Sequence, residues 1–106
     1  MFLVGILNKS SYIMYIKNMV MRFENLVFIS HPVTPNSGIM SKICLDNGKE
    51  LSVICGEGFY SSSRKGNRSS CTDVVDAASF EVMIDGEVKG WQSRDDISKL
   101  MKEYGK

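Results

Sequence analysis

At 106 residues, with 43% apolar and 24% charged side chains, the chain has the size and composition of one globular domain built on one core. In so short a chain a deep pocket around a large cofactor would compete with the core for apolar residues, so binding at a surface or groove is the easier function to build. Thirteen Lys and Arg against twelve Asp and Glu leave a net charge of +1, which excludes the strongly basic balance of a dedicated nucleic-acid binder and confines electrostatic binding to a local patch.

Residues 1–21 carry an apolar run from Phe2 to Leu7, a polar break at Asn8 to Ser11 and a second apolar stretch from Tyr12 to Met21. Neither run reaches the roughly 20 residues that span a bilayer, and there is no basic region before the first or small-residue cleavage site after it, so neither a membrane span nor a signal peptide is expected. Two readings of this segment stand side by side. Either it is an extension and the native start is Met21, leaving 22–106 as a single α+β domain, or it is an ordered strand or helix packed on the core.

Phe23 to Ser30, rich in β-branched and aromatic residues and closed by His31-Pro32, predicts a strand running into a loop. Ile39 to Leu45 and Glu50 to Cys55 flank Asp46-Asn47-Gly48-Lys49, and the Asn-Gly pair predicts a two-residue type I′ hairpin. That register pairs Asp46 with Lys49, Leu45 with Glu50, Ile43 with Ser52 and Ser41 with Ile54. It puts Cys44 and Cys55 on one face with Met40, Lys42, Leu51 and Val53, as small core residues roughly 13 Å apart and beyond disulfide reach. Gly56 to Ser70 lacks periodicity and has the composition of an exposed, mobile loop. Thr72 to Ser79 fits either a short helix capped by Thr72-Asp73 or the start of a strand, and is left unassigned.

Phe80, Val82 and Ile84 alternate with polar residues up to Asp85-Gly86, and Val88 to Trp91 follow, which predicts a second hairpin. Ser93 with Asp96 three residues on is a variant capping box, after which Ile97, Leu100, Met101 and Tyr104 fall at i, i+3, i+4 and i+7 before Gly105. The expected fold is therefore α+β: a small antiparallel sheet built from a strand and two hairpins, closed by a C-terminal amphipathic helix.

No residue set predicts catalysis or cofactor binding. His31 is the sole histidine and has no nucleophile or carboxylate near it in sequence. Cys44, Cys55 and Cys71 are odd in number and fit no paired zinc-ligand spacing, which points to a reducing cytoplasm rather than a disulfide framework. Gly56-Glu57-Gly58 follows a strand as a phosphate-binding turn would, but Ser61 stands where the third glycine belongs, and a bulge or tight bend is the better reading. The loop itself draws more interest. Phe59 and Tyr60 precede Arg64, Lys65 and Arg68, and with Glu57 as the opposing carboxylate the local charge is +2. Such a set can stack on bases and neutralise phosphates, or anchor on an acidic protein surface. Against this stands the plainer reading of a solvated loop whose aromatics cover the sheet edge. Trp91, the sole tryptophan, is read as core by its position in the second hairpin and is kept among the candidate contacts as a binding anchor.

Three series, Phe23-x-Asn25-Leu26-x-Phe28, Asp46-Asn47-Gly48-x-x-Leu51-Ser52-Val53-x-x-Gly56-x-Gly58-x-Tyr60, and Phe80-Glu81-Val82 before a short helix, resemble small uncharacterised accessory proteins of tailed bacteriophages over about residues 21–104. The stretch Ser61 to Ser70 and the N-terminal segment depart from that pattern. The resemblance implies a viral protein in the host cytoplasm that works by binding a host factor, including defence machinery, and it carries over no catalytic residue. Three functional readings result: a non-enzymatic binding protein that inhibits a host or defence factor; a nucleic-acid-binding module using loop 56–70; and a homo-oligomer with a small-molecule or nucleotide pocket between subunits.

Overall fold

The computed structural model describes residues 2–6, 13–17, 22–45 and 47–105. The breaks around Asn8 and Met21, on which the two readings of the N-terminal segment turn, and Asp46 of the expected Asp46–Lys49 pair lie outside these residues. The described strands are β1 (Phe2–Ile6), β2 (Ile13–Lys17), β3 (Ile29–Ser30), β4 (Gly38–Cys44), β5 (Glu50–Gly56), β6 (Ser62–Ser63), β7 (Gly66–Asn67), β8 (Ala77–Ile84) and β9 (Glu87–Gln92), followed by the helix α1 (Arg94–Tyr104). Their path runs β1-β2-β4-β5-β8-β6-β7, with β3 beside β4 and β9 beside β8. The pairing is antiparallel except between β2 and β4. This is the α+β fold read from the sequence, with strands added at both ends of the sheet. No helix among the described residues is long and apolar enough to cross a membrane.

The first hairpin forms in a different register from the expected one. Cys44 pairs with Glu50 and Ile43 with Leu51, one residue out of step with the type I′ prediction. A type I′ turn needs positive φ at both central residues and a two-residue loop; here Gly48 has φ +89°, but the register leaves one residue more between the strands. The Gly48 N–H donates to the Leu45 carbonyl at 2.8 Å and the Leu45 N–H to the Lys49 carbonyl at 2.8 Å, closing a three-residue loop with glycine at its left-handed position. Asn47 Oδ1 also accepts from the Lys49 N–H at 3.0 Å, a local bond that favours this turn. Because side chains alternate, the one-residue slip exchanges faces. Cys44 and Cys55 therefore lie on opposite faces, with Cys55 in the core and Cys44 half-buried outside it. The two-residue type I′ turn occurs instead in the second hairpin, where Ile84 pairs with Glu87 around Asp85 (φ +51°) and Gly86 (φ +82°).

The true register brings Ile43, Leu51 and Ile84 into one cross-strand row and Ser41, Val53 and Val82 into the next. Both rows are buried under α1, which contributes Ile97, Leu100 and Met101 as its periodicity predicts. Ser93 caps the helix, accepting from the Asp96 N–H while Asp96 Oδ2 accepts from the Ser93 N–H. Those hydrogen bonds to Ser93 hold the Asp96 carboxyl below its ordinary pKa. Phe23, Phe28 and Phe80 form a ring cluster with centroids 5.1 to 5.8 Å apart. Arg94 spreads its guanidinium 5.2 Å from the Phe23 ring and donates to the carbonyls of Ala77 and Val74, fixing the helix start to the start of β8.

Local side-chain hydrogen bonding shapes two segments, one expected to be a strand and one left unassigned. Phe23 to Ser30 is not one strand: Phe23–Asn25 is a short 3-10 turn whose Asn25 Oδ1 accepts from the Arg22 N–H, and only Ile29–Ser30 pairs as strand. At Thr72 to Ser79, Asp73 caps the 3-10 turn Val74–Asp76 before β8 begins at Ala77.

Ser41 is the one polar side chain in the two central rows. It is 2% exposed and its hydroxyl has no hydrogen-bond partner among the described residues. Removing an unsatisfied buried hydroxyl relieves its desolvation cost, so Ser41→Ala is expected to stabilise the fold by about 1 kcal/mol. Urea unfolding checks this as a higher midpoint at unchanged slope; a lower midpoint would reveal a working hydrogen bond at Ser41.

Candidate functional site

The segment Gly56 to Ser70, expected to be an exposed loop, is a small structured unit. β6 pairs with β7 and with the N-terminal half of β8. Ser61 is fully buried, and its hydroxyl accepts from the Gly56 N–H at 3.1 Å. Ser62 and Ser79 hydroxyls meet at 2.6 Å, as do those of Ser63 and Ser69. A serine-rich composition reads as solvated, but here the hydroxyls take up backbone and neighbouring hydroxyl groups inside the unit.

This unit divides the six candidate contact residues into three places. Tyr60, Arg68 and Trp91 come together; Arg64 and Lys65 lie on the β6–β7 turn; Phe59 turns inward, its ring 5.1 Å from that of His31. His31 itself is a turn residue whose Nδ1 accepts from the Val33 N–H at 3.1 Å, and partial burial lowers its pKa.

Trp91 is not core: 48% of it is exposed. The cause is a bulge in β9. Phe80 pairs with Gln92 but Val82 with Lys89, so Gly90 and Trp91 together face Glu81. Trp91 takes φ +49°, a conformation rare for a bulky side chain, and its indole is thereby presented at the surface. The turn after β5 docks on this bulge. The Trp91 N–H donates to the Tyr60 carbonyl at 2.8 Å, and the Tyr60 N–H donates to Glu81 Oε1 at 2.9 Å. Gly90 is required by the approach, since a Cβ there would stand 2.9 Å from Tyr60 Cβ.

Above this backbone the side chains hold one another. The Tyr60 and Trp91 rings are 5.5 Å apart, tilted by 42°, and the Arg68 guanidinium sits 5.0 Å from the Tyr60 centroid. Arg68 Nη2 donates to the Gly58 carbonyl at 2.7 Å, and indole Nε1 donates to Asn67 Oδ1 at 2.6 Å. Arg68, at φ +57°, joins Asp85 and Trp91 as a non-glycine residue in the left-handed region. Asn67, Glu81 and Gly90 are not among the candidate contacts read from the sequence. Gly90 alone carried a signal, as a glycine within a strand pattern, which marks a bulge or close backbone approach.

The cysteines lie apart from this surface. Burial pushes the Cys55 thiol up to about 12, with the neighbouring Cys71 thiol adding to the rise and Ser61 opposing it. Cys71 donates to the Asp73 carbonyl at 3.3 Å. Among the described residues no cluster of three or more His, Cys, Asp or Glu side chains could hold a metal ion.

A mostly antiparallel sheet with one covering helix defines a small α+β domain that carries an outward Tyr60–Arg68–Trp91 cluster. Comparison with protein-family models, curated proteins and solved structures finds no match for the chain.

Proposed function

We propose that this is a non-enzymatic binding protein whose contact surface is the Tyr60–Arg68–Trp91 cluster, and that its partner is a protein. The observation that carries this reading is Trp91 held at φ +49° with its ring half-exposed. A bulky residue in that region costs about 1–3 kcal/mol, which glycine would avoid, and such strain gathers at ligand clamps. Trp, Tyr and Arg are also the side chains that dominate the energetics of protein interfaces. Being prearranged by Asn67, Gly58 and one another, they lose little freedom on contact. The resemblance to accessory proteins of tailed bacteriophages supports a host protein in the cytoplasm as the partner, with inhibition of a host or defence factor as the consequence. Nucleic acid is the weaker reading, because Arg68, the cation of the cluster, is engaged with Tyr60 and Gly58.

Trp91→Ala is expected to weaken partner binding by about 2 kcal/mol or more, roughly thirtyfold, as loss of a central interface anchor does. The check is quantitative capture from host-cell extract on the immobilised protein, comparing wild type with Trp91→Ala and with Val33→Ala, an exposed residue outside the cluster. Proteins retained by wild type and Val33→Ala and lost with Trp91→Ala fit the proposal; equal retention by all three removes it. Retention of single-stranded oligonucleotide at low salt, lost with the same substitution, would move the assignment to nucleic acid. Trp91→Gly removes ring and strain together and is expected to unfold at or above the wild-type midpoint, which separates lost binding from lost folding.

A further inference from the structure

A second feature of the 61–76 region is independent of the aromatic cluster. Arg64 and Lys65 border a cavity of about 380 Å³ whose other walls are Asn36, Ser63, Ser70, Cys71, Thr72 and Asp76. We propose that this cavity binds a small phosphate-bearing ligand, a phosphate ester of a polar molecule such as a sugar or nucleoside.

The charge is suited to a phosphate. Arg64 and Lys65 face one opposing carboxylate, Asp76, so the lining is net positive. Asp76 Oδ1 meets Arg64 at Nε, 3.3 Å away, and the terminal guanidinium nitrogens have no partner among the described residues. Lys65 makes no ion pair among the described residues; its Nζ stands 3.5 Å from Ser70 Oγ, at the limit of hydrogen bonding. Two cations with free donors facing hydroxyl and amide groups can bind a phosphate through charge-assisted hydrogen bonds.

The backbone beneath them is fixed. The Arg64 N–H donates to the Asp76 carbonyl at 2.8 Å, the Lys65 N–H to Ser63 Oγ at 3.1 Å, and the Cys71 N–H to the Ser37 carbonyl at 3.0 Å. The volume lies at the lower end of the usual 300–1,000 Å³ for small-molecule sites and exceeds the need of a bare phosphate. Asn36, Ser70 and Thr72 offer hydroxyl and amide partners rather than an aliphatic wall, which suits a polar moiety and not a lipid chain.

Isothermal titration of the whole protein with inorganic phosphate, ribose 5-phosphate, adenosine 5′-monophosphate and ribose tests this. The two esters are expected to bind more tightly than inorganic phosphate, and ribose not at all. Lys65→Gln is expected to weaken ester binding about tenfold or more through loss of a charge-assisted bond. Asp76→Asn, which removes the opposing carboxylate, is expected to tighten it, a gain that general damage to the fold cannot produce. Trp91→Ala leaves it unchanged. Failure of both esters to bind, equal binding of ribose and ribose 5-phosphate, or wild-type affinity in Lys65→Gln overturns the proposal; equal binding of inorganic phosphate and the esters overturns the organic moiety.

Discussion

Phe80→Ala is expected to cost about 3–5 kcal/mol, a large share of the roughly 5–15 kcal/mol that stabilises a typical domain. Phe80 is fully buried, and it links two layers. Its ring packs 5.1 Å from Phe23 and 5.6 Å from Phe28, which belong to the segment just ahead of β3, and 5.4 Å from the Arg94 guanidinium at the helix start. Truncation leaves a cavity bordered by Phe23, Phe28 and Arg94, and side chains packed in a close-fitted core relax only partly into it. Arg94 also loses one of the two faces over which it lies while its bonds to Val74 and Ala77 hold it in place. Urea unfolding should show the full loss as a lowered midpoint, and a loss below about 1 kcal/mol would mean the ring cluster is not packed in this way.

Gly56→Ala is expected to be comparably damaging for a different reason, a lack of space. A Cβ at Gly56 would stand 2.6 Å from the Ser37 carbonyl oxygen and 2.7 Å from Gly38 Cα, both of them backbone. The Ser37 carbonyl accepts from both the Glu57 and Cys71 N–H groups, so pushing it away breaks two tethers of the 57–71 unit. Overpacking of about 1–3 kcal/mol and two hydrogen bonds of about 1 kcal/mol each bring the expected loss to about 3 kcal/mol or more. Gly58→Ala is the matched control. Gly58 has φ +82° and open space around it, so alanine there carries only the left-handed strain of about 1 kcal/mol. Equal losses at the two positions would contradict the close approach of β4 and β5.

The elements legible in the sequence were those fixed by periodicity and by a single local bond pattern. Ile97, Leu100 and Met101 with the Ser93–Asp96 cap gave the helix correctly, and Asp85-Gly86 gave the second hairpin. Asn47-Gly48 located the first hairpin but not its register, because Asn-Gly serves a two-residue turn and a three-residue loop alike, and one residue of difference moves Cys44 from the expected core face to the other. The Gly56 to Ser70 composition misled for a related reason: serine is polar toward water and equally competent toward buried backbone, and the burial of Ser61 and Ser63 depends on where β8 lies.

Of the candidate surface, Tyr60, Arg68 and Trp91 were named from sequence, but their meeting was not legible. It requires the bulge at Gly90–Trp91, and a bulge is a property of the pairing between two strands, invisible in either alone. The same geometry removes Phe59 from the set and places Arg64 and Lys65 on a separate cavity.

The proposed contact surface is tested most directly by the fluorescence of the sole tryptophan. Acrylamide should quench Trp91 readily in the free protein, as its 48% exposure requires, and the quenching should fall when the host fraction captured by the wild-type protein is added back. Binding of that fraction with Trp91 quenched as before would place the interface elsewhere on the molecule.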